Sequence, residues 1–364
     1  MNACAIVIGI NDYQKPGIPN LFGAVGDAAD FADWALDPGG GNVRPEHMYF
    51  WTSPAPAAPS ARLAAFLANP TVWTNGTAVS LGRPPRAQEI SDTALMMSRD
   101  LPSAAPAITR IYVFMAGHGV QSVAIGVERD AQTCFVAGDF NPGSATYGLI
   151  PCDDLRRGLL QMGYFSEAVM FFDCCRSPMS LNDPAPLLPW PRGAGQDAPF
   201  GIGRAARRGA KAFETPEKTP NRGAFSTVLM EGLRRHRNAA NELTLNDLEV
   251  YVSNTIQSVL DESRQYPYFD IDPRNPPFCV LQAPVASPPR SDQHHVQEQR
   301  HAETAATRRC RWNGHRSGNR RAGQHPGAGG HAVRVRDVRR QLLLPFQARW
   351  TRGDQCPTLA RSPS

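Results

Sequence analysis

The chain has no run of about eighteen consecutive apolar residues, the minimum for a helix that crosses a bilayer. Its first ten residues lack the charged leader and long apolar stretch of a secretory signal. A soluble, cytoplasmic protein with no membrane partner is therefore expected. There is no CxxC pair, and the eight cysteines are too irregularly spaced for a disulfide framework. Neither a zinc site nor a secreted disulfide scaffold fits, and free thiols are expected. Asn11-Asp12-Tyr13-Gln14 follows the first apolar stretch where a phosphate loop would show GxGxxG, which argues against a nucleotide-binding domain. Lysine is absent from Ala283 to Ser364, where fifteen arginines face five acids, a net of +10 in a chain whose total is +5. Met1 to Gln282 thus carries about −5, without the basic footprint of a nucleic-acid-binding domain.

What is present is enough to build a core, with 41% hydrophobic residues in 364. Cys4 to Ile10, Ile111 to Met115 and Val169 to Phe172 are short apolar runs that read as buried parallel strands. Met48 to Thr52 reads as another strand, and Gln121 to Gly126 with Thr133 to Gly138 as a hairpin. Helical spacing joins Ala24, Ala28, Phe31 and Ala35, and again Ile90, Ala94, Met97 and Leu101. Leu155 to Met162, Ala224 to Leu233 and Leu245 to Leu260 continue that pattern, the last with Thr244 as N-cap. Phe278 to Leu281 supplies a final strand. These elements predict an α/β domain over 1–282 with an open, mostly parallel central sheet flanked by helices on both faces. Residues 177–223, crowded with Pro, Gly and basic residues, are expected as a long surface loop, and the Arg-rich tail 283–364 as disordered.

In an open parallel sheet, functional groups gather beyond the carboxyl ends of the strands. The Ile111 strand runs into Ala116-Gly117-His118-Gly119, and the Val169 strand into Asp173-Cys174-Cys175-Arg176, so a His and a Cys leave the same edge. A thiol is mostly protonated below its free pKa of about 8.5, so a nucleophilic Cys needs an imidazole to take its proton and later return one to the leaving amine. His118 fits, because His47 and His236, the other histidines of 1–282, lie on polar segments. The Gly119 and Cys175 amides can form an oxyanion hole. On position alone, Cys174 and Cys175 compete as nucleophile.

Four motifs occur in order: Ile6-Val7-Ile8-Gly9-Ile10-Asn11 with Leu21-Phe22-Gly23-Ala24-Val25-Gly26-Asp27-Ala28, then Gly117-His118-Gly119, then Phe172-Asp173-Cys174-Cys175, then Gly223-Ala224-Phe225-Ser226. Together they resemble the caspase and metacaspase superfamily, particularly its bacterial members, over nearly all of 1–282. The resemblance implies a caspase-like fold and cysteine endopeptidase activity. It makes Cys175, the second residue after the Asp, the nucleophile, and His118 its catalytic partner. It also implies an acidic substrate pocket with carboxylates at Asp27 and Asp173. Such a pocket attracts Arg or Lys and rejects Asp, which makes the expected partners proteins or peptides with basic cleavage-site residues.

The sequence departs from that pattern in places. Arg176-Ser177-Pro178 stands where metacaspases usually have His-Ser-Gly, and Ala116 takes the place of the pocket serine. No cofactor is required for such chemistry, but Asp153-Asp154 resembles the acidic pair that binds activating calcium in some metacaspases. The matching downstream acid falls on Asn182, with Asp183 next. The same pair equally reads as a helix N-terminal cap. Arg204, Arg207, Arg208, Lys211 and Lys218 in the 177–223 segment read either as self-processing sites or as solubilising charges. Superfamily precedent leaves monomer and homodimer both open. The alternative function is a non-catalytic caspase-like scaffold.

Overall fold

The computed structural model describes residues 2–69, 79–100, 108–124, 132–141, 147–161, 163–181, 198–215, 221–260, 264–272 and 279–282. In chain order the first half contains β1 (Ala3–Ile10), α1 (Ala24–Leu36), β2 (Val43–Ser53), α2 (Ala61–Ala68), β3 (Val79–Leu81), α3 (Ala87–Asp100) and β4 (Arg110–Ala116). Then come β5 (Gly119–Ala124), β6 (Thr133–Val136), β7 (Leu149–Pro151), α4 (Cys152–Gln161), β8 (Glu167–Asp173), β9 (Ser177–Leu181) and β10 (Phe200–Arg204). The last elements are α5 (Ala224–Arg235), β11 (Glu242–Thr244), α6 (Leu245–Thr255), β12 (Tyr268–Ile271) and β13 (Cys279–Gln282).

Seven strands form the main sheet in the order β12-β10-β8-β4-β1-β2-β3, and all neighbours are parallel except β10 and β12. The apolar runs that read as strands are buried on both sides. Ala5, Val7, Phe114 and Phe171 face a core that includes Phe31 and Trp34 of α1 and Phe225 of α5. The alternate residues Ile6, Ile8, Val113 and Met170 face Ile90 of α3 and Leu155 of α4. The expected open, mostly parallel sheet with helices on both faces is the observed one. Among the described residues no helix is long and apolar enough to cross a membrane.

One expectation is corrected and two are refined. The segment 177–223 is not one surface loop: it contains β9 and β10, and β10 is a buried strand of the main sheet paired with β8. Its sequence, Phe-Gly-Ile-Gly-Arg, carries two glycines and little apolar mass, so it shows no strand pattern. The glycines are there for packing, since a Cβ on Gly201 would fall 1.9 Å from Leu245 Cδ1. The expected final strand exists as β13, but it pairs with β11 in a separate ribbon, and β12 is the edge of the main sheet. The helix expected over Leu245 to Leu260 is α6 followed by a 3₁₀ turn at Ile256–Val259. Its start is as expected, with Thr244 and Asp247 forming a reciprocal capping box. The 283–364 tail lies outside the described residues.

A second sheet, β7-β6-β5-β9, matters most for the site. Its strand β5 continues from β4 past His118, and β9 continues from β8 past Cys175, and the two continuations pair in parallel. The core beneath them depends on close contact of α1 with β1, where a Cβ on Gly9 would lie 2.6 Å from both Ala24 O and Ala28 Cβ. Gly9→Ala is expected to cost about 1–3 kcal/mol by overpacking, read as a lower urea midpoint at unchanged m-value. An unchanged midpoint would mean that α1 does not press on β1 in this way.

Candidate active site

The sheet register brings the two singled-out residues together. Ala116 pairs with Asp173 where β4 meets β8, and Val120 pairs with Ser177 where β5 meets β9. His118 is two residues beyond the first pairing and two before the second, and so is Cys175. The Gly117 N–H donates to Asp173 O at 3.1 Å, closing the strand ends on each other. Gly119 abuts the cysteine turn so tightly that a Cβ there would lie 2.6 Å from Cys174 Sγ and Cys175 O. The absence of a side chain at Gly119 thus lets the two turns touch.

His118 is 1% exposed and held from three sides. Its Nε2 lies 2.8 Å from the Pro19 carbonyl, which can only accept, so Nε2 carries the proton and Nδ1 is the basic nitrogen. Its backbone N–H donates to the Tyr13 hydroxyl at 2.7 Å, and the Tyr13 ring lies 5.1 Å from the imidazole at 40°. Sequence reading singles out neither Pro19 nor Tyr13, because contacts across about a hundred residues leave no local signal.

The neighbouring cysteines differ. Cys174 belongs to the apolar cluster on the α3 and α4 side, and burial first, then Asp173, pushes its thiol up to about 12. Cys175 belongs to the cluster on the α1 and α5 side, and its Sγ receives the Ala212 N–H at 3.3 Å. The same sulfur lies 3.6 Å from the Ala212 carbonyl, so the Ala212 peptide holds it from both its N–H and its C=O. The expectation of free thiols holds for Cys4, Cys134, Cys152 and Cys174.

Cys175 lines a pocket with Ala116, Asp27, Asp173, Glu214 and Gly223, among others. Asp27, in the first turn of α1, is 2% exposed and accepts the Gly223 N–H at 2.8 Å. Asp173 ends β8 and accepts from the Ser226 N–H at 3.1 Å and Oγ at 2.6 Å, at the start of α5. Gly223 passes between the carboxylates, where a Cβ would lie 2.1 Å from Asp173 Oδ2 and 2.9 Å from Asp27 Oδ2. Burial, then Asp173, pushes the Asp27 carboxyl well above the usual range against the pull of Gly223 and Arg222. Burial likewise raises Asp173 to about 6, opposed by the Ser226 donors.

Glu214 is a pocket acid that sequence reading misses. It follows β10 in the stretch expected as a loop, and its Oε1 accepts from Phe22 N at 2.9 Å and Gly23 N at 2.5 Å, just before α1. Arg222 is missed too; its Nη1 stands 3.0 Å from Asp30 and 3.6 Å from Asp27. The calcium candidates do not come together as a metal cage. Asp153 Oδ1 is 2.7 Å from Arg204 Nη2, and Asp154 is paired with Arg157. Among the described residues no cluster of three or more possible ligands occurs, and Asn182 and Asp183 lie outside them. Of the basic residues that read as processing sites or solubilising charges, Arg204 is buried in β10, Arg207 and Arg208 are exposed, Lys211 is half-buried, and Lys218 lies outside the described residues.

A carboxyl with a folded pKa raised from 3.8 to about 6 loses stability as pH climbs through that interval, because the folded state holds its proton longer. For Asp173 that cost at pH 8 is on the order of 2–3 kcal/mol. Asp173→Asn is expected to raise the urea midpoint at pH 8 and leave it nearly unchanged at pH 4. A lower midpoint at pH 8 would show that the ionised carboxylate is stabilised where it sits.

Residues 2–276 match the family model for the caspase domain. Among solved structures, the chain is similar to a protein of Geobacter sulfurreducens at 14% identity and TM-score 0.45, covering 78% of this chain and 98% of that one. It is also similar to caspase-1 of Spodoptera frugiperda at 12% identity and TM-score 0.43, covering 74% and 85%. No curated protein matches the sequence.

Proposed function

The chain belongs to the caspase-domain family, whose members are cysteine peptidases by fold, and from that premise we propose that it is a cysteine endopeptidase cutting after Arg or Lys. The observation that carries this reading is the pocket that Cys175 shares with Asp27, Asp173 and Glu214. Asp173 and Glu214 beside a nucleophile, with Asp27 able to release its proton to an incoming cation, suit a cationic side chain and repel an acidic one. With Ala116 at the position of the pocket serine, one neutral polar contact is missing, and recognition falls to the acids.

In this mechanism His118 Nδ1 takes the proton of the Cys175 thiol, and the sulfur attacks the carbonyl carbon of the scissile bond. The Gly119 and Cys175 amides bear the charge on the oxygen. The imidazolium gives its proton to the departing amine as the C–N bond breaks, leaving a thioester. Water, deprotonated by the same imidazole, releases the acid and restores the thiol. Pro19 fixes the tautomer that keeps Nδ1 basic.

A fluorogenic peptide ending in Arg, assayed with a thiol reductant, tests the reading. Cys175→Ala and His118→Ala are each expected to lower kcat/KM by about three powers of ten or more, and equal signals from all three proteins would sink it. The pH profile tests the pocket separately. Deprotonated Asp173 attracts the substrate cation, so KM should fall as pH rises through about 6. That step should be missing from Asp173→Asn, and a wild-type KM that is flat across it would remove Asp173 from recognition.

A further inference from the structure

We propose that Arg204 supplies, from within the chain, the positive charge that a divalent cation would otherwise bring to the acids opening α4, and so fixes the nucleophile loop without metal. The superfamily resemblance implies calcium at Asp153 and Asp154, yet the side chains around them answer each other. Arg204 ends β10 with only 4% of its side chain exposed, and its Nη2 donates to Asp153 Oδ1 at 2.7 Å. Its Nη1 stands 3.9 Å from Asp270 of β12, and its guanidinium lies 5.9 Å from the Tyr268 ring centre. Calcium bonds carboxylate oxygen at about 2.4 Å. An ion on Asp153 Oδ1 would therefore stand within about 5 Å of a guanidinium that cannot lose its proton.

The charge matters because Arg204 opens the segment 204–212, which wraps the cysteine turn. Ala205 N donates to Phe172 O at 2.9 Å, Arg176 N to Ala210 O at 2.9 Å, Gly209 N to Arg176 O at 3.0 Å, and Ala212 N to Cys175 Sγ at 3.3 Å. Arg176, directly after Cys175, reaches into the same region, donating from Nη1 to Ala206 O and from Nε to Gln121 Oε1, each at 3.2 Å. Arg204 anchors the start of this segment to α4. A buried guanidinium is permanently charged and carries its own tether, whereas a metal site there would make the loop depend on ion concentration. Arg204 is thus a positioning residue, acting on the nucleophile through the 204–212 segment; this part rests on the protease reading, the charge substitution itself does not.

The test is calcium-dependent melting, which needs no activity. Wild type is expected to melt at the same temperature in chelator and in millimolar CaCl2, because a metal that binds the folded state raises Tm. Arg204→Gln is expected to melt several degrees lower and to regain part of the loss in millimolar CaCl2, while Arg204→Lys stays nearer wild type. A calcium-dependent rise in wild type overturns the proposal, and it is readable even if the variants do not fold. A destabilised Arg204→Gln without calcium response also overturns it, because Arg204 would then be merely structural. Where the Arg-peptide assay reports activity, Arg204→Gln should lose about ten- to a hundredfold in kcat, partly restored by calcium. Wild-type activity that needs calcium would contradict the proposal while leaving the protease reading intact.

Discussion

The site depends on one constraint, a pair of parallel strands that stay side by side through two sharp turns. β4 and β8 pair up to Ala116 and Asp173, separate for a few residues, and pair again as β5 and β9 from Val120 and Ser177. Backbone hydrogen bonds on both sides of the gap fix the register, and a slip by one residue would turn every side chain to the opposite face. His118 and Cys175 occupy the gap at matching positions, so their proximity is a property of the sheet rather than of flexible loops. The tight contact at Gly119 and the long-range supports from Pro19, Tyr13 and Ala212 then orient the two groups within it.

The pocket beside them trades stability for charge. Asp27 and Asp173 are buried where their ionised forms are disfavoured, and what keeps them there is a small set of donors at the start of α5, Gly223 N–H and the Ser226 amide and hydroxyl. Glu214 adds a third carboxylate at the N-terminus of α1, where the positive end of a helix suits it. Without a cationic side chain, acids held so close repel one another. Arg222 answers part of that repulsion at Asp27, and the proposed preference for Arg or Lys rests on what is left of it.

Much of the fold is legible in the sequence because buried parallel strands leave continuous apolar runs, as in Cys4 to Ile10 and Ile111 to Met115, and because Thr244 and Asp247 mark a helix start locally. β10 is not, since two of its five residues are glycines that admit Leu245, Phe171 and Phe269 rather than fill the core. The site divides along the same line. His118, Cys175 and the carboxylates Asp27 and Asp173 sit in recognisable motifs at element ends. Glu214, Arg222, Pro19 and Tyr13 act across distances that only the folded chain defines. Asp153 shows the converse case, an acid whose sequence context suggests a metal and whose partner, Arg204, lies in a stretch with no strand or helix pattern.

Cys174 and Cys175 both line the acidic pocket, and the proposed reactive sulfur is that of Cys175. That assignment is tested most directly by treating the reduced protein with a peptidyl electrophile ending in Arg and mapping the adduct by tandem mass spectrometry. A single adduct on Cys175 is expected, with little or none from the Asp-ended counterpart. An adduct on Cys174, or equal labelling by both probes, would contradict it.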